Sequence, residues 1–236
     1  MLNVTNVTKK FGELTAVDDL SFNVAKGQVF GIAGPNGAGK STLYNLITGL
    51  YSFEGSILFN KREISSLAPH KIANMGIART FQIPQTFPSL SVAKSVGVGN
   101  HFGSKDGFEQ DYVDHILEFT DLADKQDAMA GQLNLLDKKM LMIGAALATK
   151  PEILMLDEPM AGSNAKEILK LMDLIQRINR ELNVTIIIIE HFMKVLTELT
   201  EQLLIIETGS QICCGDPAKV TCDSRVIESY LGANLD

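Results

Sequence analysis

A chain of 236 residues with 45 per cent apolar side chains is globular and long enough for a full hydrophobic core, either as one large domain or as a domain with an inserted lobe. The formal net charge of −7, without any lysine or arginine run, argues against nucleic acid as the partner, although it leaves local phosphate binding open. The longest strongly apolar runs, such as Ile186 to Ile189 and Leu203 to Ile206, fall far short of the ~20 residues of a membrane-spanning helix. Met1-Leu2-Asn3-Val4-Thr5 has neither the basic start nor the apolar core of a signal peptide, so a cytosolic chain is expected. Cys213, Cys214 and Cys222 fit that compartment. They are odd in number and lack metal-site spacing, which predicts buried or edge thiols.

From Leu2 to about Val24, alternating apolar residues (Leu2, Val4, Val7, then Leu14, Ala16, Val17, Leu20, Phe22, Val24) predict short strands. With Ile57 to Phe59 they make a small antiparallel sheet. The run Gln28 to Ala33 is apolar and bounded by Gly27 and Gly34, as a buried parallel strand is. Leu43, Leu46, Ile47 and Leu50 then recur at helical spacing. Between about 88 and 149 strand runs are absent, and His115 to Phe119 and Lys138 to Leu147 read as helices of an inserted lobe. The core resumes at 150–236. It begins with the strand Ile153 to Asp157 and an amphipathic helix burying Ile168, Leu171, Met172, Ile175, Ile178 and Leu182. Val184 to Ile189, Leu203 to Glu207 and Gln211 to Cys214 are further strands, the last after a Thr208-Gly209-Ser210 turn. The order predicts an α/β P-loop core with functional groups at the C-terminal ends of its strands, built from residues 1–87 and 150–236 around a helical subdomain at 88–149.

The segment Gly34-Pro35-Asn36-Gly37-Ala38-Gly39-Lys40-Ser41-Thr42 carries the clearest chemistry. Its glycines let consecutive N–H groups point at anionic oxygens, Lys40 reaches the β- and γ-phosphates, and Ser41 ligates Mg²⁺. Strand, glycine loop and helix in that order aim a helix N-terminus at phosphate. Asp157 and Glu158 close an apolar strand, where two carboxylates are costly to bury unless a cation or an activated water faces them. Asp157 is the candidate Mg²⁺ ligand, and Glu158 the group that polarises an attacking water. His191 closes the next apolar strand, whereas His70, His101 and His115 read as surface or core residues. By residue type alone, Gln82 is a solvated side chain able to meet a water or a metal ligand, and Phe11 is core.

Taken together, Phe11, the loop Gly34 to Thr42, Gln82, the strand Ile153 to Asp157 with Glu158, and His191, in that order, resemble the ATP-binding-cassette (ABC) ATPases over essentially the whole chain. The resemblance implies a single cassette fold spanning 1–236, with ATP and Mg²⁺ as cofactors. It assigns Phe11 to adenine stacking and Val17 to the nucleotide site, Gln82 to the loop that senses Mg²⁺ and couples to a membrane partner, Glu158 to the catalytic base, and His191 to the switch histidine. Gly76 to Gln82, Met160-Ala161-Gly162, Ile189-Glu190-His191 and Arg225 to Gly232 look like the ATPase subunits of branched-chain amino-acid importers. The ATPases of urea importers and lipopolysaccharide exporters are closely similar and remain alternatives, as does a soluble, non-transport ABC switch protein. A GTPase would need an Asn-Lys-x-Asp motif, which the chain lacks. The implied partners are a permease docking on Gln82 to Pro88 and a second ATPase subunit, with the chain peripheral on the cytoplasmic face of the membrane.

Family members present a Leu-Ser-Gly-Gly-Gln segment to the partner's nucleotide. Here the matching place reads Leu133-Asn134-Leu135-Leu136-Asp137. Leu135 and Leu136 replace residues whose small size allows backbone to approach phosphate, and Asp137 adds negative charge. Asn164 stands where an aspartate is common. The chain is therefore expected to pair with a different ATPase, a homodimer being the alternative.

Overall fold

The computed structural model describes residues 1–103 and 107–232. In chain order the elements are β1 (Leu2–Phe11), β2 (Leu14–Val24), β3 (Val29–Ala33), α1 (Lys40–Ile47), β4 (Glu54–Phe59), β5 (Arg62–Glu63), α2 (Pro69–Met75), β6 (Ile77–Arg79), α3 (Val92–Gly103), α4 (Gln110–Phe119), α5 (Leu135–Leu147), β7 (Ile153–Asp157), α6 (Ala165–Leu182), β8 (Thr185–Ile189), α7 (Met193–Leu199), β9 (Gln202–Glu207), β10 (Ser210–Gly215), α8 (Pro217–Val220) and α9 (Ser224–Gly232). Short 3-10 turns, Ala123–Lys125 and Ala130–Gln132, precede α5. The chain divides into two compact units, Met1–Ile72 with Thr185–Asp236, and Ala73–Val184.

In the first unit, an antiparallel sheet runs in the order β2-β1-β4-β5. Leu2, Val4 and Val7 of β1 are buried, but the alternation slips where Asn6 adopts φ 47 and the register with β2 shifts between Val4 and Val7. A second set of strands lies in the order β10-β9-β3-β8, with β3 parallel to both β8 and β9. All five residues of β3 and of β8 are buried, as expected of parallel strands covered on both faces. The β9–β10 hairpin closes through Thr208 and Gly209, both at positive φ, so two residues suffice where the sequence suggested three. Helix α1 ends at Ile47. Leu50 lies beyond it and is exposed, contrary to the helical spacing read from the sequence. Tyr44 is fully buried on α1, and its hydroxyl donates to Ile187 O at 2.7 Å.

In the second unit, β6 and β7 pair in parallel. Helices α3, α4 and α5 occupy 92–147, and between β6 and β7 no strand is described. Helix α3 escaped the sequence pattern because Gly97, Gly99 and Gly103 dilute its helical propensity; its packing against α5 supplies what propensity does not. Helix α6 begins with a capping box: the Asn164 side chain accepts from the Glu167 N–H, and the Glu167 carboxylate accepts from the Asn164 N–H. Asn164 thus does the local work of the expected aspartate. The buried face of α6 is Leu171, Met172, Leu174, Ile175 and Ile178, while Ile168 and Leu182 are only half-buried at its ends. Among the described residues, no helix is long and apolar enough to cross a membrane.

Substituting Tyr44→Phe leaves the packing intact but strips the Ile187 carbonyl of a buried donor. The expected loss is about 1–2 kcal/mol of stability, read as a lower urea midpoint at unchanged slope.

Candidate functional site

The parallel register of β3 places two candidate groups at one edge of the first unit. Ile32 is level with Ile189, so the loop after β3 (Gly34 to Gly39) and the pair Glu190-His191 emerge together, and Glu190 N–H donates to Ile32 O at 3.3 Å. Loop and helix join at Gly39, whose φ of 100 is left-handed, and no side chain caps α1. The helix thus opens toward the loop without a side-chain cap, at the end whose amides attract an anion. Two glycines are required by contact as well as by conformation. A Cβ on Gly34 would overlap the Ile206 carbonyl oxygen, and one on Gly39 the Ala16 carbonyl oxygen. Lys40 is 6 % exposed, and its ammonium donates to Gly34 O at 2.6 Å and Pro35 O at 2.9 Å, folding the loop around a positive charge. Asn36, Gly37 and Ser41 are exposed, Pro35, Gly39 and Thr42 are half-buried, and Ala38 is buried.

His191 is half exposed, with Nδ1 3.7 Å from Glu190 Oε2 and its ring against Phe192. Glu190 is fully buried and was assigned no role from sequence. Its signal was a carboxylate directly ending an all-apolar strand, the same signal that singled out Asp157. Phe11 is not the core residue its type suggested: it is 42 % exposed, edge-to-face with Tyr51, and carries the Lys9 ammonium 4.9 Å above its ring. Val17, facing Lys9 across β1–β2, is 1 % exposed and belongs to the core.

The second unit gathers the other candidates by the same device. Arg79 is level with Met155, so Thr80 to Gln82 and Asp157-Glu158 leave the β6–β7 pair at a common edge. Gln82 Nε2 donates to Glu158 Oε2 at 2.6 Å. The amide oxygen of Gln82 is the end left over for a cation. Glu158 sits at φ 46, a left-handed conformation that costs a non-glycine residue on the order of 1 kcal/mol and turns its carboxylate away from the strand direction. Asp157 is held by Arg79, Nη2 to Oδ2 at 2.8 Å, both side chains being less than a tenth exposed. The sequence reading passed over Arg79, although a guanidinium closing a short strand is itself unusual.

The altered segment is also explained locally. Asn134 caps α5 by accepting from the Asp137 N–H, and Asp137 is bound by Lys125 through both carboxylate oxygens at 2.9 Å. The negative charge expected there is therefore neutralised within the unit. The Asp137 hydrogen bond, reinforced by its charge, raises the Lys125 pKa above the ordinary lysine value, so the lysine keeps its charge through neutral pH and its contribution is lost as pH rises through that raised value. Leu135 packs near Gly162, and buried Lys139 bonds Ala161 O and Ser163 Oγ, tying α5 to the loop after Glu158. Lys139, too, was missed, since a lysine two residues into a helical pattern reads as solvated.

By residue type, the hydroxyl of Ser41, the amide oxygen of Gln82 and the carboxylate of Asp157 are hard oxygen donors of the kind Mg²⁺ takes. Among the described residues there is no group of three or more His, Cys, Asp or Glu able to hold a metal by themselves. Cys214 and Cys222 are exposed, Cys213 half-buried, and burial pushes the Cys213 and Cys214 pKa values up, away from reactivity.

Comparison with known proteins is consistent across sequence and fold. Residues 17–161 match the ABC transporter family. The chain is 34 % identical to the high-affinity branched-chain amino acid transport ATP-binding protein BraF of Pseudomonas aeruginosa and 32 % identical to LivG of Escherichia coli K12, over 98 % of both chains in each case. It superposes on the ADP conformation of an ATP-binding cassette of an ABC transporter with a TM-score of 0.89, and on a nucleotide-free cassette with 0.85, each at 32 % identity and 98 % coverage of both chains. The α/β fold expected from the resemblance is the fold observed.

Arg79→Ala would leave the Asp157 carboxylate buried without its cation. The expected cost is about 3 kcal/mol, measured as a fall in denaturant midpoint that Arg79→Lys recovers in part.

Proposed function

Since the chain belongs to the ABC transporter family and is one of its ATP-hydrolysing subunits, we propose that it drives the import of branched-chain or other hydrophobic amino acids, docked on a permease at the cytoplasmic face of the membrane. The observation that carries this reading is the Gln82–Glu158 hydrogen bond. It joins the carboxylate best suited to activate water to the segment 82–88, where Ile83 and Phe87 are exposed apolar groups available to a membrane partner. The relatives named for branched-chain amino-acid transport support the choice of solute.

In this reading the amides of Gly34 to Thr42 and the Lys40 ammonium hold the triphosphate, and Phe11 offers its ring to the base. Glu158 orients a water in line with the γ-phosphorus and takes its proton. The bond to the bridging oxygen breaks as the new P–O bond forms, giving ADP and phosphate, and His191 steadies the γ-phosphoryl oxygens. Ser41, Asp157 and Gln82 would hold Mg²⁺, which neutralises charge on the phosphates. Because Gln82 contacts the same carboxylate, loss of the γ-phosphate is felt in the docking segment.

Glu158→Gln tests the assignment. Turnover is expected to fall about 10²–10⁴-fold with ATP binding retained; unchanged turnover would remove Glu158 as base. A second reading concerns the partner: Leu135 and Leu136 crowd the place where small residues admit phosphate, which favours pairing with a different ATPase. The purified chain should hydrolyse ATP slowly alone and faster once that partner is added. Turnover of roughly 1–10 per second from the chain alone would contradict the pairing.

A further inference from the structure

Phe11 stands at the end of β1, where a ring 42 % exposed has several rotamers open to it unless its neighbours select one. Two neighbours do so. Tyr51 meets it edge-to-face, with 5.3 Å between centroids and 84° between planes, and the Lys9 ammonium lies 4.9 Å from the Phe11 centroid and 5.7 Å from that of Tyr51. The ammonium is itself anchored, donating to Ser52 O at 2.6 Å. Sides of 4.9, 5.3 and 5.7 Å make a nearly equilateral triangle, so cation and tyrosine approach Phe11 from neighbouring directions, and the ring face opposite the cation is clear of both. Both contacts are attractions of the ring quadrupole, which depend on angle, so they favour one orientation of Phe11 rather than merely covering it.

Tyr51 and Ser52 follow α1, the helix whose first residue is Lys40, and the turn between is hydrogen-bonded back onto it. Thr48 N–H donates to Tyr44 O at 3.0 Å, Gly49 N–H to Leu46 O at 3.1 Å and Leu50 N–H to Asn45 O at 2.8 Å. The strand paired with β1 reaches the other end of the same helix: Phe11 is level with Leu14 on β2, and two residues further the Ala16 carbonyl is packed on Gly39, the N-cap of α1. Phe11 is thereby tied to both ends of α1, and its span to the phosphate loop is set by a helix of eight residues, about 12 Å long. In a nucleotide the base and the triphosphate are joined, so a protein that presets the span between their two holds loses less freedom on binding.

We propose that Tyr51 is a positioning residue for the nucleotide base: with the Lys9 ammonium it fixes the Phe11 ring so that the face opposite the cation meets the base at a set distance from the phosphate loop. The inference rests on the reading of Phe11 as the residue that offers its ring to the base. It concerns recognition of the base alone, because Tyr51 touches Phe11 and Lys9 rather than the loop that grips the phosphates.

The test compares two probes on the full chain in a Glu158→Gln background: Mg-ATP, and Mg-tripolyphosphate, which carries the phosphates without a base. Calorimetry gives the Kd of each for Tyr51→Leu, Tyr51→Phe, Lys9→Met and Phe11→Ala. Tyr51→Leu is expected to raise the Kd for ATP about two- to tenfold while that for tripolyphosphate stays within about twofold, and Tyr51→Phe, which keeps the ring, to bind as the unmodified chain does. Lys9→Met should show the same selective loss at about two- to threefold. If Phe11→Ala weakens ATP but Tyr51→Leu does not, the positioning role is overturned and the base contact stands. Should Phe11→Ala bind ATP as tightly as the unmodified chain, the base contact falls and the positioning role with it. A Tyr51→Leu chain that weakens both probes equally, or a Tyr51→Phe chain as weak as Tyr51→Leu, also overturns the proposal.

Discussion

Backbone packed against backbone at Gly34 and Gly39 is the constraint on which the first unit's site depends. Each residue occupies a place where the carbonyl oxygen of another strand, Ile206 or Ala16, leaves no room for a side chain. The loop is thereby pressed onto β9 and β2, its carbonyls turn inward, and the Lys40 ammonium is drawn into them. Hydrogen bonds from a charged donor to neutral carbonyls are stronger than neutral ones, so the loop is shaped around its lysine. The same positive end of α1 that organises the carbonyls is what an anionic ligand meets.

In the second unit the ordering principle is charge compensation. Arg79 neutralises Asp157, Lys125 neutralises Asp137, and Lys139 satisfies the carbonyl and hydroxyl of the loop after Glu158. Each cation comes from a different element than its partner. These contacts fix the acid pair and the start of α5 as one arrangement, because removing either member of a buried pair exposes the other's desolvation cost. Glu158 is held in a less favoured backbone conformation, and Gln82, bonded to it, is the group able to register a change there.

Much of the site was readable from residue order. The glycines, Lys40 and Ser41 follow the spacing of a phosphate loop between a strand and a helix, and carboxylates at the ends of apolar strands are anomalous wherever they stand. What the order did not reveal were the residues that serve others. Arg79 and Lys139 matter through partners far along the chain: Arg79 meets Asp157, 78 positions on, and Lys139 meets Ser163, 24 positions on. Phe11 and Leu50 failed for the opposite reason. Their apolar character suggested burial, yet single exposed apolar side chains are common on protein surfaces.

By itself the sequence determined the elements and their chemistry: period-two alternation in β1 and β2, unbroken apolar runs in β3, β7 and β8, the phosphate loop, and the acid pair. These are local, since strand and helix patterns follow from which faces of a segment can be buried. Only the tertiary structure decided which carboxylates are neutralised and that Asp137 is no net repulsion. The Arg79–Asp157 pairing depends on the β6–β7 register, and the common edge of the phosphate loop and Glu190-His191 on the β3–β8 register. A one-residue slip in any of them turns each side chain to the opposite face, and no pattern within a single strand records its register.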